Sequence, residues 1–225
     1  MTAPLIAIQF NSPVNKHYKH SETILSDSEP AIAKPSYSKR EASRLHILDA
    51  ARELVMEIGY QSVTMTVVAD RAGVSRATLY RYYSTKEQLY SDVSIQWGIN
   101  FVDHMRQNPP QGNTIGERIT EVIRATVNAS ADNTRLMAAH IATMISDEDT
   151  LKADQRRLKT LIPGIIKVAA GKTDAENLEL AASTLQHVLI SNLILLHAGK
   201  AQRSHIIIEM ESIAARLLAE VWDQP

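Results

Sequence analysis

From Lys39 onward one pattern repeats: a hydroxyl cap, apolar residues at i, i+3 and i+4, then a glycine or proline stop. That is the period of a helix with one buried face, and no stretch shows the alternation a half-buried strand needs. Ile47, Leu48, Ala51, Leu54, Val55 and Ile58 make the first stripe, which Gly59 closes. Thr64 caps a short second helix with Val67, Val68 and Ala72 inward; Gly73 and Val74 turn the chain; Ser75 caps a third helix over 76–82. Ser84 with Glu87 predicts a capping box, opening a helix to about Arg106 that Pro109 and Pro110 stop. Thr114 with Glu117 opens a helix to about Ser130, and Thr173 with Glu176 another that ends at Gly199. Helices around 133–146 and 149–170 lie between, the latter interrupted at Pro163-Gly164, and a last one spans 204–222. The fold expected is all-α, with about nine helices.

Composition narrows the setting. The chain of 225 residues has no cysteine, which excludes disulfides and thiolate metal sites and fits a reducing compartment. The early run PLIAIQF is too short and too interrupted for a signal segment, and no later run is expected to reach membrane-span length. A soluble, cytoplasmic, nucleoid-associated protein is the expectation. Residues 1–37, with four prolines and no sustained period, read as a flexible tail; KHYKH at 16–20 is a solvated stretch able to brush a polyanion. Net charge is −1 overall, but residues 39–90 carry eight Lys/Arg against six Asp/Glu, while residues 91–225 carry thirteen against sixteen. The basic share sits in the first helices.

The segment AGVSRATLYRYYSTKEQLY, residues 72–90, concentrates Arg76, Arg81, Lys86 and four tyrosines behind a tight turn. At 100° per residue Leu79 and Tyr83 fall on one side of the third helix, while Ala77, Thr78, Tyr80 and Arg81 fall on the other, flanked by Tyr82. Two short helices joined by a glycine turn have helix-turn-helix geometry, whose second helix enters the DNA major groove. The residues suit that task. Arg76 can pair with guanine N7 and O6, and Thr78 and the Ala77 methyl can meet base edges. Thr64, Ser75, Tyr80 and Tyr82 can donate to phosphates, as can Lys86; Lys39, Arg40 and Arg44 can reach the adjacent backbone or minor groove.

The stretch TMTVVADRAGVSRATLYRYYSTKEQL resembles the helix-turn-helix signature of the TetR family of transcriptional regulators. The matching positions are Thr64, Val68-Ala69, Ala72-Gly73-Val74-Ser75, Leu79-Tyr80, Tyr83 (usually Phe) and Lys86. Thr66 stands where the family commonly has a basic or polar phosphate contact. The resemblance implies a DNA-binding domain over 38–90 and a ligand-binding and dimerisation domain over 91–225. It also implies a homodimer on a palindromic operator, acting as a repressor released by a small molecule.

Two features of the carboxy-terminal half bear on those expectations. VLISNLILLHA is apolar nearly all round, and the last helix adds a further stripe; the surplus apolar surface needs a second partner. Leu185, Leu189, Leu196, Ile206, Met210, Ile213 and Leu217 are the expected dimer contacts, with Ala181, Ala182, Ala214 and Ala215 allowing close approach. Trp97, Phe101, Ile123, Met137, Ile141 and Met144 are the expected walls of an effector chamber, with His140 or Asn192 as polar anchor. The effector expected is small and hydrophobic; no other cofactor is implied.

An enzyme is the main rival class. A di-metal bundle needs Glu-x-x-His pairs, yet no histidine here has a glutamate three residues earlier. No phosphate loop occurs, and Asp147-Glu148-Asp149 reads as a solvated helix cap. A helical interaction module without base specificity is the second rival, and it predicts equal binding to any DNA.

Overall fold

The computed structural model describes residues 38–147, 149–171 and 178–225, apart from several side chains between 150 and 162. The tail 1–37, Glu148 and the Thr173/Glu176 capping pair lie outside the described residues. Among the described residues all regular structure is helical: α1 Lys39–Ile58, α2 Met65–Arg71, α3 Arg76–Tyr82, α4 Lys86–Gln107, α5 Ile115–Asp132, α6 Thr134–Met144, α7 Lys152–Ala170, α8 Leu178–His197 and α9 Arg203–Leu217. Short 3-10 turns occupy Tyr60–Ser62 and Asp149–Leu151.

Hydroxyl caps set the starts. Ser38, Thr64, Ser75 and Thr114 each accept from the backbone N–H three residues on, satisfying a donor the first turn would otherwise leave open. Between α2 and α3 Gly73 takes φ 62°, a left-handed conformation that side chains disfavour and the tight turn requires.

Several local features differ from expectation. The cap of α4 is Thr85, not Ser84; the Thr85 hydroxyl accepts from Gln88 N–H, and the Gln88 side-chain Oε1 accepts in return from Ser84 N–H. The box is thus shifted by one residue, with Gln88 in the place given to Glu87. Helix α7 continues through Pro163 instead of breaking there. Ile165, Ile166, Ala169 and Ala170 are buried just beyond the proline, and that packing offsets the hydrogen bond it removes. Val67 faces outward on α2 while Val68 is buried. Helix α9 ends at Leu217, and Leu218–Asp223 form turns. Helix α8, with 20 residues, is also long and apolar enough by length and composition to cross a membrane, contrary to expectation. Here it packs against α7, α9 and α5, with Gln186 and Asn192 buried.

Two apolar cores result. One gathers Ile47, Leu54, Val55, Val68, Leu79 and Tyr83 around the first three helices; the other gathers Ile119, Val127, Ile165, Leu185, Ile206 and Met210 in the bundle. Helix α4 serves both, giving Leu89, Tyr90 and Val93 to the first and Phe101, Val102 and Met105 to the second. Helix α6 also crosses over, with Leu136 and Ala139 in the first core and Met137 in the second. Arg135 fastens the two, because its guanidinium donates to the Met56 and Glu57 carbonyls at the open end of α1.

The turns after α9 close the start of α5. Ile115 N–H donates to the Gln224 carbonyl and Gly116 N–H to the Trp222 carbonyl, both at 2.8 Å. The Trp222 indole lies so close over Gly116 that a Cβ there would come within 2.5 Å of the ring. Replacing Gly116 with valine should therefore lower unfolding free energy by about 1–3 kcal/mol in urea titrations. The same substitution made in a Trp222→Ala background should cost markedly less; equal losses in both backgrounds would refute this account.

Candidate nucleic-acid interface and effector cavity

The reading helix stands on a rigid base. Leu79 is fully buried under α3 and Tyr83 closes its end, while Arg76, Ala77, Tyr80 and Arg81 are exposed on the opposite side, Tyr80 by 53%. Thr78 is half-buried and shares a 2.9 Å hydroxyl contact with Ser75, so the cap and the base-facing position are coupled. Arg81 lies 5.8 Å from the centre of the Tyr82 ring, and Tyr82 OH donates to the Arg40 carbonyl at 3.2 Å. That bond ties α3 to the first turn of α1, where Lys39 and Arg40 are exposed. Thr64 is exposed at the start of α2, and Thr66 is half-buried on its first turn.

Two basic residues expected at the DNA are engaged within the protein. Arg44 is paired with Asp92 at 2.6 Å, and the same carboxylate oxygen accepts from Tyr83 OH at 2.8 Å. Burial, reinforced by the Asp92 charge, pushes the Tyr83 phenol above its ordinary range, so it stays protonated as a donor. Arg44 is thus a strut between α1 and α4. Lys86 Nζ donates to the Tyr60 and Val63 carbonyls at 2.7 and 2.9 Å and lies 4.1 Å from the Tyr60 ring centre. Burial draws its pKa downward. Two of its three N–H groups hold the loop before α2, leaving one to face outward. Asp92 escaped the sequence reading because nine residues separate it from Tyr83 and 48 from Arg44.

The residues expected to form one chamber divide among four places. Trp97, Met137 and His140 line a small cavity of about 10 Å³, together with Ser94, Asn133 and Leu136. Phe101 and Ile123 are buried in the bundle core, with Phe101 stacked on Trp97 at 6.1 Å. Ile141 lines a different, outer groove near Ile58 and Ile145, and Met144 is half-buried. Asn192 belongs to an open groove between α8 and α9, apart from the cavity, so it cannot anchor a ligand beside His140. Ser94, Asn133 and Leu136 were missed. The signal for Ser94 was a polar residue on the Val93–Trp97 stripe, one turn before the tryptophan.

His140 is the polar exception in that cavity. The residue keeps a partly exposed edge, but Nδ1 is sealed and has no hydrogen-bond partner among the described residues. Burial lowers its pKa to about 4, so the imidazole is neutral.

The dimer contacts expected from sequence also need correction. Leu185, Leu189, Ile206 and Met210 are buried within the protomer's own core, as are Ala181, Ala182 and Ala214. Leu196, Ile213 and Leu217 are partly buried against it. The apolar surface left over is Leu180, Ile194, Leu195 and Ile208, between 40% and 66% exposed. A helix with apolar residues all round gives no sequence signal for which stripe turns inward; packing decides that.

Comparison with known proteins agrees with this geometry. Residues 47–93 match the profile of the bacterial regulatory proteins, tetR family. The match spans the head helices α1 to α4 and marks a tetR-type DNA-binding domain there. The chain is 25% identical over 191 residues to the HTH-type transcriptional repressor KstR of Rhodococcus jostii strain RHA1, covering 84% of the chain and 89% of the relative. It shares its fold with a TetR transcriptional regulator from Rhodococcus sp. RHA1 at TM-score 0.70 and 22% identity, covering 80% and 97% of the two chains. It also resembles the Thermus thermophilus repressor FadR, solved with lauroyl-CoA, at TM-score 0.62 and 25% identity, covering 79% and 93%. The matched head domain is that of DNA-binding transcriptional regulators.

Two substitutions probe these contacts. Lys86→Ala removes two charge-assisted hydrogen bonds from a half-exposed site and should lower stability by about 1–2 kcal/mol in chemical denaturation. Unchanged stability would return Lys86 to a purely outward role. His140 sets a pH dependence. Its folded pKa, about 4, lies below the ordinary 6.5, so between these values the unfolded chain binds more protons. Stability therefore rises with pH across that window, by up to about 3 kcal/mol. His140→Phe should flatten that slope relative to the parent protein, and parallel pH profiles would contradict the burial of the imidazole.

Proposed function

We propose that this regulator is a homodimeric repressor that holds a palindromic operator and releases it when a small, mostly apolar effector enters the bundle. The observation that carries the DNA half is the face of α3. Arg76, Ala77, Tyr80 and Arg81 are open on a helix whose other side is anchored by Leu79 and Tyr83. An arginine on the first turn of such a helix reaches base edges, and the tyrosine hydroxyls, with Thr64 and the first turn of α1, reach phosphates. Arg44 is left out of this assignment, and Lys86 enters it through one N–H.

The exposed apolar stripe on α8 and α9 supports a dimer. Leu180, Leu195 and Ile208 form part of a surface that a second copy would cover, and two heads then address two half-sites about 34–36 Å apart. Support for the effector comes from the small, largely apolar cavity and from the lauroyl-CoA held by the Thermus relative. A ligand there would press on α4 through Trp97 and on α6 through Met137, the two helices shared by both cores. A preference of about 1–3 kcal/mol for the displaced arrangement is enough to loosen the operator. Such a protein works in the cytoplasm, at the nucleoid.

The test is a gel shift against DNA flanking the protein's own coding region. The parent protein should give a competitor-resistant band whose affinity falls steeply with salt. Arg76→Ala should lose about 1–3 kcal/mol per half-site and relax preference at one base position. Binding no stronger than to random DNA would favour a non-specific interaction module instead.

A further inference from the structure

The cavity at the α4–α6 junction is almost wholly apolar, but a buried ring nitrogen on its wall restricts what can occupy it. Its described lining is Ser94, Trp97, Asn133, Leu136, Met137 and His140. Ser94 OH donates to the Tyr90 carbonyl at 2.8 Å, and one Asn133 amide N–H donates to the Ala129 carbonyl at 2.8 Å. The Ser94 proton and one Asn133 N–H are thereby committed to backbone carbonyls of their own helices. His140 adds a sealed ring nitrogen without a partner among the described residues. A volume of about 10 Å³ accommodates a single oxygen-sized group.

We infer that the effector presents a lone, uncharged hydroxyl to His140 at the end of an apolar body. This rests on the effector site proposed above and names the chemistry that site selects. A hydroxyl is one oxygen in size and can donate to Nδ1 or accept from it, whichever tautomer the neutral imidazole holds. A carboxylate fits poorly on three counts. It has two oxygens, it can only accept, and burying its charge against a neutral imidazole carries a large desolvation cost. Trp97 and Met137 form the apolar wall along which the body of the molecule extends, and the flexible thioether of Met137 can move aside for it.

The test uses the full-length protein in calorimetric titrations with 1-decanol, decanoate, decanoyl-CoA and decyl methyl ether. Decanol should bind at least tenfold more tightly than decanoate and the ether, a factor typical of one good hydrogen bond in a sealed site. His140→Phe should reduce the decanol affinity about tenfold while leaving the ether unchanged, and His140→Gln should restore part of the loss. Thermal melts of each variant confirm that it is folded before titration; the unchanged ether affinity serves as a second check on an intact cavity. Equal affinity for decanol and ether, or a decanol affinity insensitive to His140→Phe, would overturn the inference and assign Nδ1 to a resident water. Tighter binding of decanoate or decanoyl-CoA would overturn it in favour of an anionic effector. Binding of none of the four overturns the effector site itself, which separates that failure from the failure of the hydroxyl anchor.

Discussion

Everything in this molecule is referred to α4, one unbroken helix that belongs to two apolar cores. Twenty-two residues at 1.5 Å each give it a length of roughly 33 Å, enough to run from beneath the reading helix into the bundle. Its first three turns bury Leu89, Tyr90 and Val93 among the head helices, and its later turns bury Phe101, Val102 and Met105 in the bundle. Trp97 lies at the crossing and packs against both cores. A continuous hydrogen-bonded helix transmits a displacement along its length, so the head cannot ignore a change in packing around Trp97. Helix α6 is the second tie, through Leu136, Ala139 and the Arg135 clamp on the end of α1.

The tyrosines that crowd the reading segment divide by role once the fold is known. Tyr90 is fully buried, donates to the Ala51 carbonyl at 2.9 Å and meets the Tyr60 ring edge-on at 5.2 Å. Tyr83 joins Arg44 at the Asp92 carboxylate. Each uses its ring to fill a core and its hydroxyl to satisfy a polar group that burial would otherwise strand. Tyr80 stays outside. A small head domain with a modest core gains rigidity from such struts, and rigidity keeps the exposed side chains of α3 in fixed register.

Polarity inside the bundle carries a different message. Thr126 and Ser130 bond back to carbonyls four residues earlier, which leaves them chemically quiet. His140 does not have that outlet for Nδ1. A buried polar atom without a partner costs stability, and its position between the two shared helices places that cost where occupancy by a ligand would change the geometry of the heads.

Much of the fold was legible in the chain because helix signals are local. Thr64, Ser75 and Thr114 act within one turn, and the Gly73 turn follows from backbone sterics, so the helix order and the outward face of α3 could be derived residue by residue. Tertiary structure alone decided what those local rules leave open. Which side of α8 and α9 turns inward depends on packing against α5 and α7, and it took Leu185, Leu189, Ile206 and Met210 from the expected dimer face into the protomer's core. Arg44 and Lys86 had basic side chains near the predicted DNA surface, but Asp92 and the Tyr60 and Val63 carbonyls lie closer in space than in sequence. Gly116 needed Trp222, more than a hundred residues away, to acquire its meaning. The chain specified its helices through neighbours a few residues apart; the partners of its buried faces and charges were set by contacts that only the assembled fold creates.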